Sequence, residues 1–235
     1  MSSLPIASID GALEFIFSPQ SSNVTGGRKV GGLDQVLELA WNQLWLTIVA
    51  LAIALAVALP IGLYLGHRHK WESFAVALGT AGRGIPELIL IAFFAAAIGV
   101  GFTNVVLALA ILGIPPILAN AFVGVHQVDR GSVDAARGMG MSEFEILRKV
   151  EIPLAIPALM GGIRSATIAV VATATIAPYG GYSTLGEFII NENVYGENGV
   201  LAGAILVALL AVTLELALAG VQRLLTSPGL KLRPA

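Results

Sequence analysis

From Leu44 to Leu65 the chain reads LWLTIVALAIALAVALPIGLYL, without one charged side chain. A helix needs roughly 20 predominantly apolar residues to cross a bilayer's hydrocarbon core. Backbone groups in lipid must bond within the segment itself, so a run of this kind must be helical. Four further runs have similar character, at about 73–99, 103–125, 156–178 and 199–221. The second is interrupted by GRGIPE. Five spans of an all-α polytopic membrane protein are the expectation. Charged residues make up 12% of the chain, against about a quarter in soluble domains. The net charge of -2 gives no sign of a nucleic-acid partner. The absence of cysteine excludes disulfides and thiolate metal sites.

Residues 1–40 are expected to form an extracytoplasmic lead. SPQSSNVTGG reads as loop. Leu33, Val36, Leu37, Ala40, Trp41 and Leu44 recur at helical spacing, which predicts a short interfacial helix with Trp41 and Trp45 at headgroup level. The N-terminus lacks the basic and apolar regions of a signal peptide, so the first span is expected to direct its own insertion. The bundle would occupy 41–225 and a cytoplasmic tail 226–235. Arg68, Lys70, Arg130, Arg137, Arg148, Lys149, Arg223, Lys231 and Arg233 all fall on one side of a five-span topology. The positive-inside rule then puts the N-terminus outside and the C-terminus in the cytoplasm.

One polar stretch, at 129–155, breaks this greasy pattern. Ser132 is expected to cap a helix whose first turn holds Asp134, where negative charge is favourable. Gly138 and Gly140 should end it. Ser142 and Glu145 have capping-box spacing and should start a second helix running to about Val150. Pro153 and Pro157 should shape the start of the fourth span. A solvated linker needs no caps and no sharp turn; a docking surface for a cytoplasmic partner uses both. Ala135 and Ala136 offer close approach, and Met139 and Met141 offer adaptable apolar contact.

AARGMGMSEFEILRKVEIPLAIPALMGGIR resembles the cytoplasmic coupling motif of binding-protein-dependent ABC transporter permeases. Asp134, Ala135, Ala136, Gly140, Ile152 and Pro153 stand at the motif's elements, with Asp134 where glutamate is commonest. ALPIGLYLGH, GRGIPELILIAFF, PPILANAFVGVHQVD and TATIAPYGGYSTLGEFI extend the likeness over about 40–225. Together they resemble the glycine betaine/carnitine/choline, or osmoprotectant, ProW-like group. The resemblance implies a type I importer permease with a MetI-like core and a cytoplasmic coupling-helix hairpin. It implies two cytoplasmic ATPase subunits holding ATP and Mg2+, a second permease copy or paralogue, and an extracytoplasmic solute-binding protein. Asp134, Ala135, Ala136, Gly138, Met139, Gly140, Met141 and Pro153 would lie at the ATPase contact. The chain has no GxxxxGK(S/T) phosphate loop, so hydrolysis falls to a partner and no cofactor is expected here.

Polar groups inside the spans are costly unless paired or wet. Arg83 and Glu87 are four apart and can share a helix face around Pro86, as a structural pair or a gate. Phe93, Thr173, Tyr179 and Tyr182 complete a possible translocation path, aromatic faces being suited to a cationic solute. Arg164 is expected to snorkel. Glu215 would pair with a polar group or face a neighbouring subunit, and Asn104 and Asn120 would link helices. His67, His69 and His126 make no convincing metal site. A secondary transporter would show inverted repeats, which are not evident. A membrane scaffold would not need kinked, charged spans. An importer for another small solute, such as an amino acid, is the main alternative.

Overall fold

The computed structural model describes residues 7–22, 24, 27, 29–68 and 86–226. Asn23, Thr25, Arg28, His69 and Lys70, the first part of the expected second span with Arg83, and the tail from 227 lie outside the described residues.

Helix α1 (Ile9–Phe17) opens the chain. Ser8 caps it, its hydroxyl accepting from the Gly11 amide at 3.0 Å. Two short antiparallel strands follow, β1 (Gln20–Ser21) and β2 (Lys29–Val30), with Gln20 opposite Val30. Helix α2 is Leu33–His67. The expected short interfacial helix and the first span are therefore one element of 35 residues. At 1.5 Å per residue it is about 50 Å long, well beyond the roughly 30 Å core. Its polar first turns, with Asp34, Gln35 and Glu38, can therefore stand outside the hydrocarbon while the apolar remainder crosses it.

Helix α3 (Glu87–Ile98) falls in the stretch expected to be the second span. Its 12 residues reach only about 18 Å. Helix α4 is Phe102–His126, α5 is Arg130–Gly138 and α6 is Glu143–Ile146. A π-helical turn, Leu147–Glu151, joins α6 directly to α7 (Ile152–Thr173). A 3-10 stretch, Ala174–Gly180, ends that rod. Helix α8 (Gly186–Ile190) and helix α9 (Glu192–Leu225), kinked at Gly196, complete the fold. Among the described residues four helical stretches are long and apolar enough to cross a membrane: Leu33–His67, Phe102–His126, Glu143–Gly180 and Glu192–Leu225.

The described residues fall into two compact units. One gathers residues of Met1–Ala50, Glu87–Leu109 and Val170–Thr213. Its core is aromatic: Phe15, Phe188 and Tyr195 meet edge to face, with centroids 5.0 to 6.2 Å apart. Ala12, Ile16, Val36, Leu39, Leu185 and Ala202 close around them. The N-terminal lead is thus part of a packed core. Gly186 is forced here, since a Cβ would lie 1.7 Å from the Thr175 carbonyl oxygen.

The other unit gathers residues of Leu51–Pro86, Ala110–Ala169 and Leu214–Ala235. Ala54, Ala58, Ile117, Leu118, Phe122 and Ala166 form its core. Helices approach at small residues, as is usual where lipid removes the hydrophobic drive between them. A Cβ on Gly62 would sit 2.6 Å from Ala121 Cβ, and one on Gly162 would sit 2.6 Å from Asn120 Cβ. Asn120 Nδ2 donates to the Pro116 carbonyl of its own helix at 2.8 Å, so it does not link helices as expected.

Candidate functional site

The polar stretch at 129–155 folds as a helix, a glycine turn and a second helix. Asp129, not Ser132, caps α5: its Oδ2 accepts from the Ser132 amide at 2.9 Å and hydroxyl at 3.0 Å. The helix therefore starts a turn earlier than the serine suggested, and Asp134 sits in its middle. Gly138 is its last residue, and the reversal falls on Gly140 at φ +83°. That left-handed conformation is open to glycine and costly for other residues. Ser142 then caps α6 with the expected capping box. Its hydroxyl accepts from the Glu145 amide at 3.4 Å, and the Glu145 carboxylate accepts from the Ser142 amide at 3.1 Å.

The second helix does not stop near Val150. It runs through the π-turn into α7, so the second arm of the motif and the fourth span are one rod. Pro153 explains the turn. Proline has no amide hydrogen, and its ring crowds the carbonyl four residues back. The wider π spacing relieves that crowding, with the Ile152 amide donating to the Leu147 carbonyl.

Charge holds the two arms across Gly140. Arg137 Nε lies 3.1 Å from Glu143 Oε1, its Nη2 lies 3.3 Å from Glu143 Oε2, and its Nη1 lies 3.1 Å from Asp134 Oδ1. Arg137 accordingly holds the Glu143 carboxyl below its usual range, and Glu143 raises the guanidinium. Glu145 receives the Lys149 ammonium at 2.8 Å. That bond, with those from the Ser142 amide and hydroxyl, lowers its pKa to about 2.

The sequence-predicted residues divide by exposure. Ala136 is buried against the arms, while Asp134, Ala135, Gly138, Met139 and Gly140 are exposed, Met139 at 71%. Met141 and Pro153 are half-buried. Phe144, which sequence reasoning passed over, is 69% exposed beside them. A methionine and a phenylalanine standing free at one glycine turn make an apolar tip rimmed by charge, the layout of a docking surface. Its place two residues after the capping serine was the available signal for Phe144.

His67 was also missed. It ends α2, and its Nδ1 lies 2.6 Å from Glu151 Oε2 while Nε2 lies 3.3 Å from Glu143 Oε2. The Glu151 side chain is 2% exposed. No spacing rule connects residues 67 and 151; only their opposite chemistry in polar loops hinted at it.

The other expected residues do not gather at one point. Arg83 lies outside the described residues, so its pairing with Glu87 does too. Pro86 and Glu87 are exposed at the start of α3, with Phe93 exposed farther along. Phe93 meets Phe94 at a centroid distance of 5.5 Å. Thr173 is half-buried at the end of α7. Tyr179 is exposed, and Tyr182 packs edge to face on Phe102 at 5.1 Å. Between the tyrosines, Gly181 turns at φ +82° and Gly180 leaves no room for a Cβ, which would lie 2.5 Å from Val105. Thr167 and Thr175 bond their own backbone, at Ile163 and Ala172. Arg164 is paired as well as partly exposed: Nε donates to Glu215 at 2.8 Å and Nη1 to Gln222 at 2.9 Å. Asn104 is 1% exposed and neither side-chain polar atom has a partner among the described residues, so it links no helices there. Among the described residues no group of His, Asp and Glu could hold a metal.

Residues 58–227 match the family described as binding-protein-dependent transport system inner membrane component. The chain belongs to this family. It is a multi-pass transmembrane ABC-transporter permease, the transport subunit rather than the catalytic one. The permease is 36% identical to carnitine transport permease protein OpuCB of Listeria monocytogenes, over 83% of this chain and 90% of that one. It is 33% identical to the glycine betaine/carnitine/choline transport system permease protein OpuCB of Bacillus subtilis, over 84% and 91%. In fold it is similar to a chain of the MetNI methionine ABC transporter in an inward-facing conformation, with TM-score 0.72 and 21% identity over 83% of this chain and 98% of that one. The MetI-like core expected from the sequence is therefore present.

Proposed function

We propose that this permease serves an ATP-driven importer of quaternary-ammonium osmoprotectants: glycine betaine, choline or carnitine. The observation carrying the solute class is the naming of its relatives, at 31 to 36% identity, for carnitine, for glycine betaine, carnitine and choline, and for choline. The amino-acid alternative rests on a likeness of fold alone.

In this reading the 129–155 segment is the coupling hairpin. Asp134, Ala135, Gly138, Met139, Gly140 and Met141, now joined by Phe144, meet a groove on a cytoplasmic ATPase. Ala136 and Pro153 hold the arms. Two ATPases bind ATP and Mg2+, a second permease copy or paralogue completes the pathway, and an extracytoplasmic binding protein delivers solute. The chain crosses five times with its N-terminus outside, α3 being part of the second span. Lead 1–40, bundle 41–225 and tail 226–235 are the corresponding regions. Arg83, Pro86, Glu87, Phe93, Thr173, Tyr179 and Tyr182 belong to the gate or path. Import needs differential contact in two states of the assembly, which a capped hairpin continuous with a span can transmit.

The test is solute-stimulated ATPase activity in proteoliposomes with the cognate ATPase and binding protein. Glycine betaine, choline or carnitine should stimulate, and proline and a neutral amino acid should not. Stimulation by an amino acid alone would sink the solute assignment.

A further inference from the structure

We propose that His67 is a positioning residue for energy coupling: it ties the end of α2 to the π-turn by a hydrogen bond and to the start of α6 by a second, longer polar contact. The inference rests on reading 129–155 as the coupling segment.

The chemistry is specific. An ionised carboxylate only accepts hydrogen bonds, and a neutral imidazole offers one N–H. His67 faces carboxylate oxygens from both ring nitrogens, at 2.6 Å to Glu151 and 3.3 Å to Glu143. The Glu151 contact is a hydrogen bond, and the Glu143 contact is a longer approach within ion-pair range. The Glu151 carboxylate is almost wholly buried, and a buried carboxylate left without a partner is expensive. The His67 side chain is itself only 11% exposed.

The wiring is equally specific. Glu143 is also held by both ends of the Arg137 fork, and Arg137 reaches Asp134. His67 therefore connects α2 to α6, and through Arg137 to α5. It stands on a firm base. At Gly66, one residue earlier, a Cβ would lie 2.8 Å from the Phe122 carbonyl oxygen and 2.9 Å from Val125 Cβ. The end of α2 is thus pressed against α4. A push on the glycine-turn tip has two outlets. One is the continuous rod through the π-turn into α7. The other is the link through His67 into α2 and α4. The second makes two spanning helices answer one docking event.

The permease is reconstituted with its ATPase and binding protein, and solute imported per ATP hydrolysed is measured beside ATPase co-purification and melting temperature. His67→Gln should lower solute per ATP by roughly 3- to 10-fold, with co-purification and melting temperature near wild type. His67→Lys, which offers N–H donors to both carboxylates, should recover most of the loss. A His67→Gln protein with the wild-type ratio overturns the proposal, as does a loss that follows melting temperature or is not rescued by lysine. If His67→Gln does not fold, Glu143→Gln decides. It removes the Nε2 link and, with it, the Arg137 fork on a carboxylate that is 57% exposed, so Arg137→Gln, which removes the fork alone, is measured beside it; an unchanged ratio in Glu143→Gln, or a loss equal to that of Arg137→Gln, overturns the proposal. Failure of the coupling reading itself looks different: Gly140→Leu would then leave ATPase co-purification intact.

Discussion

Arg164 on α7 donates through Nε to Glu215 on α9 at 2.8 Å, and Gln222, two turns along α9, accepts from the same guanidinium. Two charges within apolar spans are thus spent on each other. Glu215→Leu would strand the guanidinium among apolar helices, where an unpaired charge is costly. The melting temperature in nanodiscs should fall by several degrees. The double variant Arg164→Leu/Glu215→Leu should regain much of it, since neighbouring substitutions are not additive. A double variant as unstable as the sum of both singles would show that the pair is not the unit.

Gly162 tests the close helix approach. A Cβ there would meet Asn120 Cβ at 2.6 Å and the Pro116 carbonyl oxygen at 2.8 Å, and the backbone oxygen cannot rotate away. Gly162→Ala should cost about 1–3 kcal/mol, the range for overpacked cores. Gly220→Ala, with nothing within 4 Å, should be neutral or slightly stabilising as a helix substitution. Thermal unfolding of the pair checks the contrast.

Gly140 separates backbone strain from docking. Among the described residues no atom beyond the two adjacent residues lies within 4 Å of a Cβ placed there, so the φ of +83° is what opposes a side chain. Gly140→Ala and Gly140→Leu should each cost about 1 kcal/mol in the isolated permease. ATPase capture should divide them, with leucine losing far more than alanine. Equal capture would mean that the partner does not reach this turn.

The capping box gives a pH dependence. Glu145 lies ahead of the apolar run, and its folded pKa of about 2 is below the ordinary 4.5. A depressed carboxylate contributes stability that is present in full above its unfolded value. That contribution is lost as pH falls from about 4.5 toward 2. Amide exchange, corrected for intrinsic rates, should show the 143–146 turn loosening over that window. Glu145→Gln should reduce the pH response to the part carried by Glu143, whose carboxyl Arg137 also holds low, and Ser142→Ala should cost about 1 kcal/mol at neutral pH.

The capping box and the glycine turn were readable because Ser142, Glu145 and Gly140 act over three or four residues. The same locality made the apolar runs legible. Asp129 displaced Ser132 as cap because two good capping residues stood one turn apart, and local rules do not rank them. Helix α2 absorbed the predicted interfacial helix because nothing between Glu38 and Leu44 breaks a helix; the polarity change there marks depth, not a boundary. The His67–Glu151 and Arg164–Glu215 pairs join residues far apart in sequence. Only the packing of whole helices brings such groups together, so a single sequence lists the partners without matching them.

The π-turn at Leu147–Glu151 is also a buffer of chain length. It holds one more residue than an α-helical turn, and the wider closure absorbs that residue, so the helices on either side keep nearly the phase of an unbroken α-helix. Removing a single residue from this turn would let α6 run into α7 as plain helix, apart from Pro153, with the fourth span still facing the same neighbours. Removing one residue beyond it, inside α7, meets no such slack, since each residue advances an α-helix by about 100°. That deletion would turn the rest of the rod and carry Gly162 and Arg164 away from Asn120 and Glu215. The turn is thus a place where the rod can change length without re-aiming the span.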